Sequence, residues 1–128
     1  MSDSEVTGKI IGCAIDVHKA LGPGLLENAY KKCLAYKLEK SGIYIEVEKP
    51  FPLIFEEVKL DCGYRADIYV ANSIMVEIKS VDALNDVHMA QIITYMRLAK
   101  CQLGLLINFN VLRLADGIKR VTLKEQKV

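Results

Sequence analysis

Three charged residues interrupt two adjoining apolar runs near the middle of this chain. Asp67 lies in Tyr64-Arg65-Ala66-Asp67-Ile68-Tyr69-Val70, and Glu77 and Lys79 lie in Ile74-Met75-Val76-Glu77-Ile78-Lys79. Burying a lone charge is costly, so each must face solvent or meet a partner. The polar turn Ala71-Asn72-Ser73 between the runs predicts a β-hairpin. Side chains alternate along a strand, so Glu77 and Lys79 share a face and Ile78 takes the other. If the strands pair in register, Asp67 comes close to Glu77. Two carboxylates and an ammonium on one patch suit a hard divalent cation such as Mg²⁺, which takes one or two protein carboxylates and keeps several waters. The lysine would orient a water or steady a phosphate oxygen. The same spacing also fits a solvated hairpin face with a cross-strand salt bridge worth about 0.2–1 kcal/mol.

The elements that must carry this patch follow from periodicity. Val6, Ile10, Ala14, Val17 and Leu21 predict a first helix from Ser4, its candidate cap, to Leu21. Gly22-Pro23-Gly24 ends it. Leu26, Tyr30, Cys33, Leu34 and Leu38 mark a second helix over Leu26–Ser41, with Glu27 in the dipole-favoured first turn. Alternation from Ile43 to Glu48 predicts a strand. Pro50 and Pro52 around Phe51 predict an edge or bend, with a further strand at Leu53-Ile54-Phe55 and the next beginning at Val58–Asp61.

After Lys79 the period returns to helical from Asp82, the candidate N-cap, to Lys100. Gln91 and Tyr95, four apart, share one face of this helix. Leu103–Phe109 reads as a strand covered on both faces, and Val111–Leu114 as its extension. Asp116-Gly117 is a turn before a final strand at Ile118–Leu123, and Glu125–Val128 should fray. The order is α-α-β-β-β-β-α-β-β, and a helical crossover after the hairpin implies parallel neighbours within a mixed sheet. The fold class is therefore α/β (α+β).

A chain of 128 residues with 52% hydrophobic and 26% charged residues fits one globular domain. The formal net charge of +1 is not the basic balance of a typical nucleic-acid binder, although Lys31, Lys32, Lys37 and Lys40 form one basic cluster. Cys13, Cys33, Cys62 and Cys101 lack the spacing of zinc ligands and read as reduced core thiols of a cytoplasmic protein. The polar, acidic start is unlike a signal peptide, and no apolar run reaches membrane-spanning length. His18 has no second histidine nearby and reads as a surface or packing residue rather than a ligand.

The segment Gly24-Leu25-Leu26-Glu27-Asn28-Ala29-Tyr30 resembles the motif that names the GxxExxY proteins. Tyr64–Asp67, Val76–Lys79, Ala90–Tyr95 and Leu105–Asn110 also look like that family, in the right order, over nearly the whole chain. The family is placed in the PD-(D/E)XK nuclease-like superfamily. The resemblance implies a restriction-endonuclease-like core and metal-assisted phosphodiester hydrolysis with Mg²⁺ or Mn²⁺. It implies that Asp67, Glu77 and the Ile78 carbonyl hold the metal, that Glu27 helps, and that Lys79 acts on the water or the transition state. Gln91 and Tyr95 resemble the Q-x-x-x-Y pair lining the same site. Ala66 departs from the superfamily name, which has proline there, but that position is not a ligand. Nucleic acid is the implied partner, DNA or RNA left open, and a homodimer is a further expectation. The competing expectation is a non-catalytic module that binds nucleic acid or a protein partner.

Overall fold

The computed structural model describes residues 1–123, so the expected fraying of Glu125–Val128 lies outside the described residues. Helices α1 (Asp3–Leu21) and α2 (Glu27–Lys40) precede strands β1 (Ile45–Phe55), β2 (Val58–Val70) and β3 (Ile74–Lys79). Helix α3 (Asp86–Ala99) then leads to β4 (Leu103–Asn108), a short 3₁₀ turn at Leu114–Gly117, and β5 (Ile118–Thr122). The sheet runs in sequence order β1-β2-β3-β4-β5. Only β3 and β4 are parallel, joined by α3 as the crossover, and the other pairs are antiparallel.

Several boundaries differ from the sequence reading for local reasons. Ser2, not Ser4, caps α1: its Oγ accepts from the Glu5 N–H at 3.2 Å while the Glu5 carboxylate reaches back. Helix α3 starts after Asn85 rather than at Asp82, because Asn85 Oδ1 accepts from both Val87 and His88 N–H groups at 3.0 Å. The stretch from Ile45 to Phe55 is one strand, not two. Strand β1 lies at a sheet edge, where prolines cost no ladder bond. The ladder instead shifts register between Phe51 and Leu53, and Gly63 on β2 faces Leu53 so closely that a Cβ would overlap it. Val111–Leu114 does not extend β4; it is a loop that enters the 3₁₀ turn at Leu114, held by His18, whose Nε2 lies 2.7 Å from the Val111 carbonyl.

The two faces of the sheet are buried differently. Strand residues Ile68, Val70, Ile74, Val76, Ile78, Leu105 and Ile107 pack beneath α1 and α2. Tyr30 anchors this side, stacked on Phe109 with centroids 4.5 Å apart. The opposite face carries Met75 and Leu106 against α3, which buries only Ile92 and Met96 completely. Beyond this sheet the β1–β2 hairpin projects as an arm, with Phe55 and Val58 paired and exposed.

Strand alternation slips once, beside Asp67. Ile68 and Val70 belong to the α1–α2 side, whereas Ala66 and Tyr64 pack on the α3 side. Residues two apart on a regular strand share a face, so a one-residue slip moves every following side chain across. The partner strand slips at the same level, where Glu48 has φ 50°. This paired kink sends Phe51 and Tyr64 toward α3 and leaves Asp67 aimed along the sheet plane at β3.

Candidate active site

The ladder between β2 and β3 runs from Val70↔Ile74 to Ile68↔Val76 and stops there. The next two opposed residues are Asp67 and Glu77, and their side chains replace the missing rungs. Glu77 Oε2 accepts the Asp67 N–H at 3.1 Å, and Asp67 Oδ2 accepts the Ile78 N–H at 2.8 Å. Each carboxylate thus props the other strand open and keeps its second oxygen free of these bonds. The N–H and C=O of one strand residue point to the same side. The Ile78 carbonyl therefore opens on the same gap as the two acids.

Burial makes this pair electrostatically unusual. Glu77 is 3% exposed. Removal from water and the nearby Asp67 carboxyl push the Glu77 acid up to about 9. A buried carboxyl beside a second one ionises reluctantly, so without a metal Glu77 is held toward its protonated form.

Lys79 shares the α3-facing side of β3 with Glu77 and donates to Gln91 Oε1 at 2.8 Å. Gln91 Nε2 donates onward to the Tyr95 hydroxyl at 3.3 Å. Tyr64 locks this end of α3, donating to the Tyr95 carbonyl at 3.0 Å and stacking on the Tyr95 ring at 4.5 Å. The Tyr95 phenol is raised, first by burial and then by Glu77. The structure thus brings together Asp67, Glu77, Lys79, Gln91 and Tyr95.

Glu27 is placed differently. It is exposed on the first turn of α2 and lines a cavity of about 560 Å³ with Gly24, Leu25, Asn28, Ser80 and Asn110. No hydrogen bond or ion pair joins it to Asp67 or Glu77 among the described residues. The companion Tyr30 is structural: its hydroxyl donates to the Gly22 carbonyl and accepts the Leu25 N–H at 3.1 Å.

Three further residues shape the site without having been marked by the sequence. Lys31, one turn after Glu27, sets its ammonium 2.8 Å from Glu48 Oε1 and 3.9 Å from Asp67 Oδ1. Its signal was the i,i+4 spacing from Glu27 on one helix face. Glu48 had no signal, because nothing in an alternating strand announces a positive φ. Asn108, 2% exposed, accepts the Val81 N–H at 3.1 Å and donates to the Val81 carbonyl at 3.0 Å, fixing the exit of β3. A single amide inside an apolar run was its trace.

The donor set fits a small divalent cation. Two carboxylates and a carbonyl converge on the splayed strand ends, as Mg²⁺ or Mn²⁺ accepts when waters fill the remaining positions. Among the described residues no group of three or more His, Cys, Asp or Glu side chains is arranged to hold a metal ion.

Helices on both sides of a mixed sheet, with acids where two strands diverge, define the restriction-endonuclease-like class. A family model of the PD-(D/E)XK nuclease superfamily matches residues 4–121, and the chain belongs to that superfamily. No curated protein and no solved structure matches it. No helix among the described residues is long and apolar enough to cross a membrane.

Proposed function

We propose that this protein is a metal-dependent nuclease that hydrolyses phosphodiester bonds in nucleic acid. The observation that carries this reading is the acid pair of half-buried Asp67 and buried Glu77, crossed between diverging strands beside Lys79. A bound Mg²⁺ or Mn²⁺ would supply a water of lowered pKa and charge stabilisation at the phosphate. Asp67, Glu77 and the Ile78 carbonyl would hold it, with Glu27 in reserve to help directly or through water.

The chain's own residues prepare the rest. Gln91 fixes the Lys79 ammonium at the rim of the pair, where it orients a water or faces the charge that develops on a phosphate oxygen. Tyr95 and Tyr64 stiffen α3 so that Gln91 stays in reach. The half-buried setting excludes bulk water and strengthens each of these interactions.

The test is cleavage of single- and double-stranded DNA and RNA with Mg²⁺ or Mn²⁺. Activity that disappears in Asp67→Ala, Glu77→Ala and Lys79→Ala, with each variant folded, is the expected result. Unchanged cleavage in all three would sink the proposal.

The near-neutral charge of +1 favours one second reading, a non-catalytic module that binds nucleic acid or a protein partner. It calls for metal-independent binding without turnover. The exposed apolar arm, with Phe55 and Val58, supports the homodimer reading, which sedimentation at several concentrations tests. Cys13 and Cys101 are buried as expected of core thiols, whereas Cys33 is half-buried and Cys62 exposed; as free thiols the four support a reducing, cytoplasmic setting.

A further inference from the structure

Among the described residues, five other than glycine have positive φ. Glu56, Ala71 and Asn72 sit in hairpin turns and Lys100 caps α3, all places where left-handed geometry is routine. Glu48 alone is inside a strand, and holding a non-glycine residue there costs about 1–2 kcal/mol.

The kink has a definite consequence. Glu48 lies level with Asp67, since Val47 pairs with Ile68 and Lys49 with Ala66. Instead of completing that rung, Glu48 reaches Lys31 on α2, which is largely buried at 13% side-chain exposure. The ammonium is drawn to 2.8 Å from Glu48 Oε1 and stays 3.9 Å from Asp67 Oδ1. That oxygen is the one Asp67 does not spend on the Ile78 N–H. Without Glu48, the acid oxygen that Lys31 already approaches is Asp67 Oδ1 at 3.9 Å, and the ammonium would close onto the oxygen a metal needs.

We propose that Glu48 is a positioning residue: it holds Lys31 off Asp67 Oδ1, so that this oxygen stays open to a divalent cation. Glu48 and Lys31 work as a latch, and the strained backbone at Glu48 is what reaches across to set it. The inference rests on the proposed metal site for its purpose, but not for its geometry.

The experiment has two arms. In a metal-free crystal structure of Glu48→Gln, Lys31 Nζ should move to within about 3 Å of Asp67 Oδ1, an ion-pair distance. Lys31 remaining at its present separation overturns the latch, whatever the metal does. In Mn²⁺ titrations followed by electron paramagnetic resonance, Glu48→Gln should weaken binding roughly tenfold, a coupling of about 1.4 kcal/mol. Lys31→Met should bind at least as tightly as the wild type, and adding Glu48→Gln to Lys31→Met should then cost nothing further. An equal loss with and without Lys31 would show Glu48 acting on the cation directly and would overturn the proposal. A wild-type protein that takes up no Mn²⁺ defeats the metal reading instead, and the position of Lys31 in the crystal still decides the latch.

Discussion

Strand β3 has two faces with opposite tasks. Ile74, Val76 and Ile78 enter an apolar layer closed by two helices, where Ile10, Tyr30, Leu34 and Leu38 are fully buried. Met75, Glu77 and Lys79 turn to a side roofed by one helix, where a carboxyl is buried and an ammonium is held by an amide. Six consecutive residues thus belong both to the stability of the molecule and to its candidate chemistry. The well-packed side gains hydrophobic free energy that offsets the unfavourable burial of charge on the other. Such a division lets a small domain keep a strained, polar site without unfolding.

Substitutions on the two sides should separate accordingly. The largest effect is expected from Phe109→Ala on the packed side, which removes the ring stacked on Tyr30 and should cost about 3–5 kcal/mol of stability. Urea unfolding measures this, and Mn²⁺ affinity of the folded fraction should hold; a large loss of affinity would mean the sides are coupled. On the polar side, Lys79→Met should leave the free energy of urea unfolding within about 0.5 kcal/mol of the wild type. Cleavage should fall by about 10²–10³, the usual cost of one electrostatic donor. Unfolding by that variant would show Lys79 to be a structural partner of Gln91.

The acid pair predicts a pH effect of defined sign. Glu77 keeps its proton to about 9 when folded but releases it near the ordinary 4.5 when unfolded. Between those values the folded protein binds more protons, so metal-free stability falls as pH rises through that window. Thermal melts in chelator should show a falling midpoint, and Glu77→Gln should flatten it. A flat wild-type profile would mean that the pair is better solvated than its burial indicates. The smallest effect is expected at the hairpin turn, which belongs to neither side. Ala71 has φ 52°, so Ala71→Gly should raise stability by about 0.5–1 kcal/mol in the same melts.

Much of the architecture was legible because it rests on local periodicity. The stripe from Val6 to Leu21 and the run Leu103–Phe109 needed no tertiary knowledge to be read as helix and buried strand. Helix starts were less legible where several caps compete: Ser2 and Ser4, or Asp82 and Asn85, differ only in which oxygen meets a free N–H. The paired prolines were read rightly as an edge or bend, and wrongly only as a break between two strands. Whether proline breaks a strand depends on whether its side of the strand is paired, and that is decided by the position of β1 at the edge.

By itself the sequence determined the order of elements around the hairpin, the α3 crossover, and the shared face of Glu77 and Lys79, because these follow from periods of 3.6 and 2 within one segment. Only the tertiary structure decided that Asp67 meets Glu77, since that requires a register and its end at Ile68↔Val76. It alone placed Lys31 between Glu48 and Asp67, and it alone left Glu27 out of contact with the pair. The physical reason is the same in each case. These distances are set by how a helix docks and where a strand kinks, and both are fixed by the packing of residues far apart in the chain.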